Sequence, residues 1–568
     1  MMRLSIRALL LPILAVTVLG PVTPLGAQQT ARPFGGADAD DPSELGAEAE
    51  VFLRTLEAIR DYGLEPQPDS ALWEKAIDGL VRELGDPYAT VLSREEVEAF
   101  EEQSTGNYAG IGIAISELNG AVTVTTVFPG TPADRAGLIV GDRIVGVGSE
   151  FAPDSVGGWN TNDASGRIRG LPGTTVVVHV ERDGFPRPIP HEIRREEVHI
   201  PAVRAERIFE NTGYVLLDRV TRSSAAEVDS VLTELEGVDG LILDLRQNPG
   251  GYLDESLNLA DLFLDRGSVL VTTRSRTRGD GEVREESARA RMAPRVEDIP
   301  IVVLVDRFSA SAAEIIAGAL QDHDRALVIG ERTFGKGTVQ SVVPLPEGRL
   351  IRITSGEWYT PQGRSLNRAR DLEGNLLDVD STQPTPRFRS AGGRTILGGG
   401  GVFPDLEVGN DTLSAAEQRF MTATVDAEIP LTTRIQEAAL DAGQAMRDSG
   451  ALESEDLVDV RLPEGTVDTF VAALVEGGLG EELVTEETRE YLRWRLEMAF
   501  YSRLQLERNA LEVRSQRDTV LRTALRLLNA ASDQAELFSL ATEEQNELNA
   551  TQARATGADG SSGALQPN

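Results

Sequence analysis

The sequence predicts an α/β chain built as an α+β multidomain protein. Three observations carry this. Its 568 residues are too many for one hydrophobic core, and length alone suggests two to four domains. Between about residues 200 and 410, apolar runs such as "GYVLLDRV", "VDGLILDLR" and "IPIVVLVD" alternate with helical segments. Two other stretches, about 43–103 and 412–550, show helical periodicity alone.

Composition narrows the function classes. Hydrophobic residues are 40% and charged residues 26%, which is the balance of a globular protein. The net charge of −36 argues against nucleic acid and against anionic membrane surfaces, since both need a basic face. The plainest reading of such acidity is solubility or a saline habitat. There is no cysteine, so neither a disulfide nor a lipoprotein anchor is available.

The elements follow in chain order. Residues 1–27 read as a signal peptide: Arg3 and Arg7, an apolar stretch from Ala8 to Leu19, then small residues up to Ala27. The apolar run is short for a spanning helix, so export with cleavage, to the periplasm, is expected rather than a retained anchor. Residues 28–43 suit a linker, and 44–106 a helical region. There Val51, Leu53, Leu56 and Ile59 keep helical spacing up to Gly63, and Ser70 is placed to cap a second helix. Residues 107–190 form a small mixed domain, in which Pro132 opens a short helix that Gly137 closes. Residues 191–410 form the α/β core, 411–550 an acidic helical region, and 551–568 a disordered tail.

The chemistry centres on "DRFSASAAEIIAGALQDH" and "GERTFGKGTVQ". Ser311 falls at the first turn of a helix leaving a buried strand. Unpaired amides and a partial positive charge gather there, and both can stabilise an oxyanion. The amide of Ala312 is the natural first donor. Gly251 in "RQNPGGYL" offers a second, because glycine lets a backbone approach substrate closely. A serine at this position is equally what a plain helix cap requires.

The four histidines, His179, His191, His199 and His323, do not offer a base. His323 ends the helix that Ser311 begins, about 18 Å away at ~1.5 Å rise per residue. Lys336, between Gly335 and Gly337, is the other candidate. A lysine acts as a base only when neutral, so its pKa must fall from ~10.4 to about 7–8, which burial achieves. Gln340 can orient the amine without adding charge. The alternative is a phosphate-binding lysine, but "GERTFGKGT" lacks the glycine spacing of a P-loop.

At this point the sequence resembles the carboxyl-terminal processing (tail-specific) serine peptidases, family S41, over about residues 70–410. "GDPYATVLS" looks like that family's lead-in, and "YAGIGI" with "PGTPADRAGLIVGDRIVGVG" looks like its PDZ domain. "LILDLRQNPGG", "DRFSASAAEI", "RALVIGERTFGKGTVQ", "GEWYTPQGRSLN" and "GGVFPDLEV" look like its core signatures. The resemblance implies a ClpP/crotonase-like core with an inserted-type PDZ domain. It implies Ser311 as nucleophile, Lys336 as general base, Gln340 as its support, and the Gly251 and Ala312 amides as oxyanion hole. Gly110, Ile111, Gly112 and Ile113 resemble the loop that binds a peptide's terminal carboxylate, with apolar side chains for the last residue. Arg169 resembles an arginine that couples the PDZ domain to the active site in some members. The plainer reading is a surface arginine before a turn.

Three departures stand out. "SASAAEI" replaces the family's "SASASEI". Residues between Trp159 and Arg169 are atypically polar. An insertion of about 368–397 reads as a surface loop. The expected function is an exported serine endopeptidase acting on proteins with unstructured apolar C-termini, with no metal and no organic cofactor. The alternatives are a non-catalytic PDZ scaffold and a small-ester hydrolase on the same core. The acidic C-terminal region suits an adaptor, a homo-oligomer contact or plain helical packing.

Overall fold

A computed structural model describes residues 46–151, 158–209, 211–276, 282–377, 384–409, 411–452 and 460–559. The expected signal peptide and linker lie outside the described residues. Two units are distinguished, with the division after Pro66. In the first, a helix runs Ala47–Tyr62 and buries no residue; Val51, Leu53 and Ile59 are all exposed.

The second unit begins with a helix at Asp69–Arg82 whose N-cap is Pro68. This corrects the placement of Ser70, which sits inside the first turn: proline cannot donate an N–H and suits a helix entrance. The strand Thr90–Leu92 and the lead-in helix Arg94–Thr105 follow. That helix opens with a reciprocal capping box between Ser93 and Glu96.

The α/β core is a six-stranded sheet ordered Val203–Ile208, Thr212–Leu217, Gly240–Asp244, Ile301–Val305, Leu327–Gly330, Leu406–Glu407. The first pair is antiparallel and all later pairs are parallel. The strands Gly240–Asp244 and Ile301–Val305 are wholly buried, which is why they read as unbroken apolar runs. Helices Ser224–Glu234, Leu253–Asp261 and Ala312–Asp322 cover one face. The other face is covered by the C-terminal helices Glu507–Ser515, Thr519–Ala530 and Gln534–Asp559, through Leu511, Leu521, Leu527 and Leu537. The C-terminal region is therefore part of the core's packing. Its last helix continues to Asp559, past the expected start of a disordered tail, because "ATQARA" consists mainly of helix formers.

A second sheet joins Thr90–Leu92, Leu350–Tyr359, Val269–Arg276 and Val283–Arg289, with Thr338–Pro344 also paired to Leu350–Tyr359. The insertion at 368–397 departs from a plain surface loop. A hairpin pairs Arg387–Arg389 with Thr395–Leu397, Ile396 is buried, and Arg370 stacks on Phe334 at 3.7 Å.

The small mixed domain has a sheet ordered Ile113–Leu118, Ala121–Val127, Arg143–Val147, Thr175–Glu181, Ile189–Arg194. Its atypically polar stretch forms a helix, Thr161–Ile168, with a capping box between Asn160 and Asp163. Only Ala164 and Ile168 face inward, so the remaining positions are free to be polar. A bundle of helices between Ala415 and Ser515 has its own core and presses on this domain. Arg503 donates to the Thr125 carbonyl at 3.0 Å and Gln505 to Val127 at 3.1 Å. The Glu437 carboxylate accepts from the Asn119 amide at 2.8 Å.

Candidate active site

Ser311 stands where the buried strand Ile301–Val305 passes into the helix Ala312–Asp322. Its φ of 55° and ψ of −114° lie in a region that non-glycine residues avoid. Such an elbow is held only by surroundings that over-determine it. Those surroundings are visible. The Asp306 carboxylate accepts from the amides of Phe308 at 2.9 Å, Ser309 at 3.0 Å and Gln247 at 3.1 Å. The buried Ser309 hydroxyl donates to the Leu245 carbonyl at 2.8 Å, and the Ala310 amide to Asn248 at 2.9 Å. Ser309 is thus a structural pin, and the loops 245–251 and 306–311 are tied to one another.

The Gly250–Gly251 turn lies against the elbow. Gly250 has φ +94°; a Cβ there would sit 2.6 Å from the Ala310 carbonyl oxygen and 2.8 Å from both the Ala312 nitrogen and Ser311 Cβ. At Gly251, φ +157°, a Cβ would come within 1.8 Å of the Val220 carbonyl oxygen. Among the described residues, neither the Gly251 nor the Ala312 amide is donated to a backbone partner. Sequence reading singled out Gly251 and passed over Gly250, although the pair stood together in "NPGG".

Lys336 lies on the loop before the strand Thr338–Pro344. Its Nζ donates to Gln340 Oε1 at 3.0 Å, and the Gln340 amide donates onward to the Tyr88 carbonyl at 3.0 Å. The Tyr88 ring covers the amine at 4.9 Å. Burial, reinforced by the nearby Arg352 guanidinium, lowers the Lys336 pKa to about 8. The flanking glycines allow the enclosure: a Cβ on Gly335 would strike Arg368 at 2.4 Å, and one on Gly337 the Asn367 amide at 2.7 Å.

Glu314, which sequence reading passed over, joins the two halves. It is fully buried, and its Oε2 accepts from the Ser311 and Lys336 amides, each at 2.8 Å. Its Oε1 accepts from the Gly335 amide at 2.7 Å and the Thr333 hydroxyl at 2.5 Å. Burial raises its pKa, and these four donors oppose that. The spacing Ser-x-x-Glu was the available signal. Tyr88 and Arg352 gave none, being far from Lys336 or Gln340 along the chain. The four histidines are engaged elsewhere; His323, for instance, bonds the Val269 carbonyl at 2.7 Å.

Four of the five other residues singled out gather in a groove of about 410 Å³ on the small domain, Gly112 being the exception. Gly110, Ile111, Ile113 and Arg169 line it, together with Tyr108, Phe128, Ile168 and Glu102. The Ile111 side chain lines the groove from within the domain's own core, as does Ile168. Ile113 and Phe128 complete the apolar wall. Gly112 has φ +88°, and a Cβ there would clash with Thr131 at 2.2 Å. Arg169 is an exposed arginine before a turn, and it is ion-paired with Glu102 at 2.5 Å.

A buried-strand-to-helix serine elbow, an enclosed lysine and a peptide groove on a separate six-stranded domain define the class: a serine peptidase core carrying a PDZ domain. The profile of Peptidase family S41 matches residues 211–373, and a PDZ domain profile matches 123–182. The chain is 33% identical over 341 residues to the carboxy-terminal-processing protease of Bartonella bacilliformis, covering 59% of this chain and 75% of that one. It is 31% identical over 356 residues to a probable CtpA-like serine protease of Staphylococcus epidermidis, covering 61% and 69%. Among solved structures, the photosystem II D1 C-terminal processing protease is similar at 29% identity and a TM-score of 0.32, over 59% of this chain and 92% of that one. The chain belongs to peptidase family S41, as a serine-type carboxy-terminal-processing peptidase with a PDZ domain.

Proposed function

We propose that this chain is an exported endopeptidase that captures unstructured apolar C-termini in its PDZ groove and cleaves the peptide with a Ser311–Lys336 pair. The observation that carries the reading is the enclosed Lys336 amine, its pKa lowered to about 8, on a loop tied through Glu314 to the Ser311 elbow. The neutral amine takes the proton of the Ser311 hydroxyl as Oγ attacks the scissile carbonyl carbon. The Gly251 and Ala312 amides receive the oxyanion. The resulting ammonium returns the proton to the leaving amine nitrogen, the C–N bond breaks, and an ester to Ser311 remains. Lys336 then takes a proton from a water that attacks this ester, and the ammonium returns it to Ser311 Oγ as the C–Oγ bond breaks and the acid product leaves. Gln340 holds the amine in place throughout without adding charge. Periplasmic localisation rests on the apolar, arginine-led N-terminus.

The test uses an unfolded protein ending in Ala-Ala and the same protein ending in Asp-Asp. The purified chain is expected to cut the first faster, and a Ser311→Ala variant to cut neither. Equal rates for the two tails contradict recognition of an apolar C-terminus, and cleavage by the variant contradicts Ser311 as nucleophile.

A further inference from the structure

The PDZ groove contains two elements able to hold a carboxylate, and a side chain of the protein already stands beside each. The first is the Arg169 guanidinium. Its Nη1 donates to Glu102 Oε2 at 2.5 Å, and Glu102 belongs to the lead-in helix Arg94–Thr105. The second is the pair of amides of Gly112 and Ile113. The Phe128 amide bonds the Gly112 carbonyl, with Ile113 opposite Val127, so the Ile113 amide is outside the ladder and turned to the open edge. The Tyr108 side chain lines the groove beside them. Its ring rests on Gly110, where a Cβ would meet Cε2 at 2.5 Å, and Arg169 stands over the same ring at 5.2 Å. Glu102, Arg169 and Tyr108 therefore interlock across the site a terminal carboxylate would take.

We propose that Glu102 and Tyr108 are an internal cap on the carboxylate site of the PDZ groove, displaced by the substrate's C-terminal carboxylate, and that they set the affinity threshold for that terminus. The proposal rests on the reading that the groove binds a peptide C-terminus. A carboxylate can replace both partners at once, giving Arg169 a new anion and the amides a stronger acceptor than a phenol. A peptide ending in an amide brings no charge, so Arg169 keeps Glu102 and the cap stays shut. Burial keeps the Tyr108 phenol neutral, so it competes weakly with a true carboxylate. The cap therefore costs affinity for every ligand but costs least for a free C-terminus, which is how a competing internal contact produces specificity.

The experiment uses the full chain with Ser311→Ala, so that bound peptide is not cut. A fluorescent peptide ending in Ala-Ala is titrated by anisotropy, beside the same peptide with a C-terminal amide. Glu102→Gln and Tyr108→Phe are added separately; both keep size and packing, and either alone suffices. Each is expected to tighten the free-carboxylate peptide about 5- to 10-fold, as removal of a competing closed state does. The amide peptide is expected to remain weak. If wild type prefers the carboxylate peptide but neither variant tightens it, the cap is overturned while the C-terminus reading stands. If wild type binds both peptides alike, the C-terminus reading falls and the cap falls with it.

Discussion

The backbone amides of Ser311 and Lys336 end on one oxygen, Oε2 of Glu314, each at 2.8 Å. The proposed nucleophile and base are thus registered to each other through a buried carboxylate, although 25 residues separate them in sequence. Glu314→Gln replaces two acceptor oxygens with one acceptor and one donor, and an NH₂ group then faces N–H groups. Displacing the pair by a fraction of an ångström is expected to lower kcat about 100-fold with little change in KM. Steady-state kinetics on a peptide substrate checks this.

The pH dependence follows from Lys336. Its amine must be neutral to accept a proton, and its pKa is lowered to about 8, so kcat/KM should rise with pH through a limb near 8. Arg352 disfavours the ammonium, so Arg352→Gln raises the lysine pKa and moves the limb to higher pH. Gln340→Glu places a carboxylate where the amide oxygen accepts from Nζ at 3.0 Å. It should move the limb the same way and further, by about 1–3 units. A pH–rate profile of the three proteins reads both shifts.

Gly250 cannot accept a side chain. With φ at +94° and a Cβ 2.6 Å from the Ala310 carbonyl oxygen, Gly250→Ala must push the turn away from Ser311. The expected result is loss of at least about 100-fold in kcat, as for removal of an oxyanion donor. Circular dichroism should show the sheet retained, since the strands Gly240–Asp244 and Ile301–Val305 do not depend on that turn.

The C-terminal bundle steadies the PDZ domain through Arg503 and Gln505, which donate to carbonyls of the strand Ala121–Val127. Removing both with Arg503→Ala and Gln505→Ala gives up about 1 kcal/mol per bond. Hydrogen exchange in the strands Ile113–Leu118 and Ala121–Val127 should then quicken about tenfold or more. Unchanged exchange would show that these bonds carry no restraint.

Sequence reached most of the architecture because its signals were local. Unbroken apolar runs marked the parallel strands, and "SAS" and "NPGG" marked the two loops at the head of the sheet. What it missed depended on long-range packing. Tyr88 and Gln340 meet across 252 positions, and no spacing encodes that contact. Arg352 reaches the amine only because its strand pairs beside the one carrying Gln340. Glu102 and Arg169 look like ordinary surface charges until the lead-in helix meets the C-terminal end of the helix Thr161–Ile168. The polar stretch after Trp159 misled because a short amphipathic helix needs only Ala164 and Ile168 to face inward.

The account's central claim is that Ser311 and Lys336 act as one unit. Its most direct test is kcat/KM for Ser311→Ala, Lys336→Ala and the double variant on one peptide substrate. The account predicts that each single change removes nearly all activity and that the double variant is no worse than either, because a unit fails once. Multiplying losses, or substantial activity in Lys336→Ala at pH 8, would contradict it.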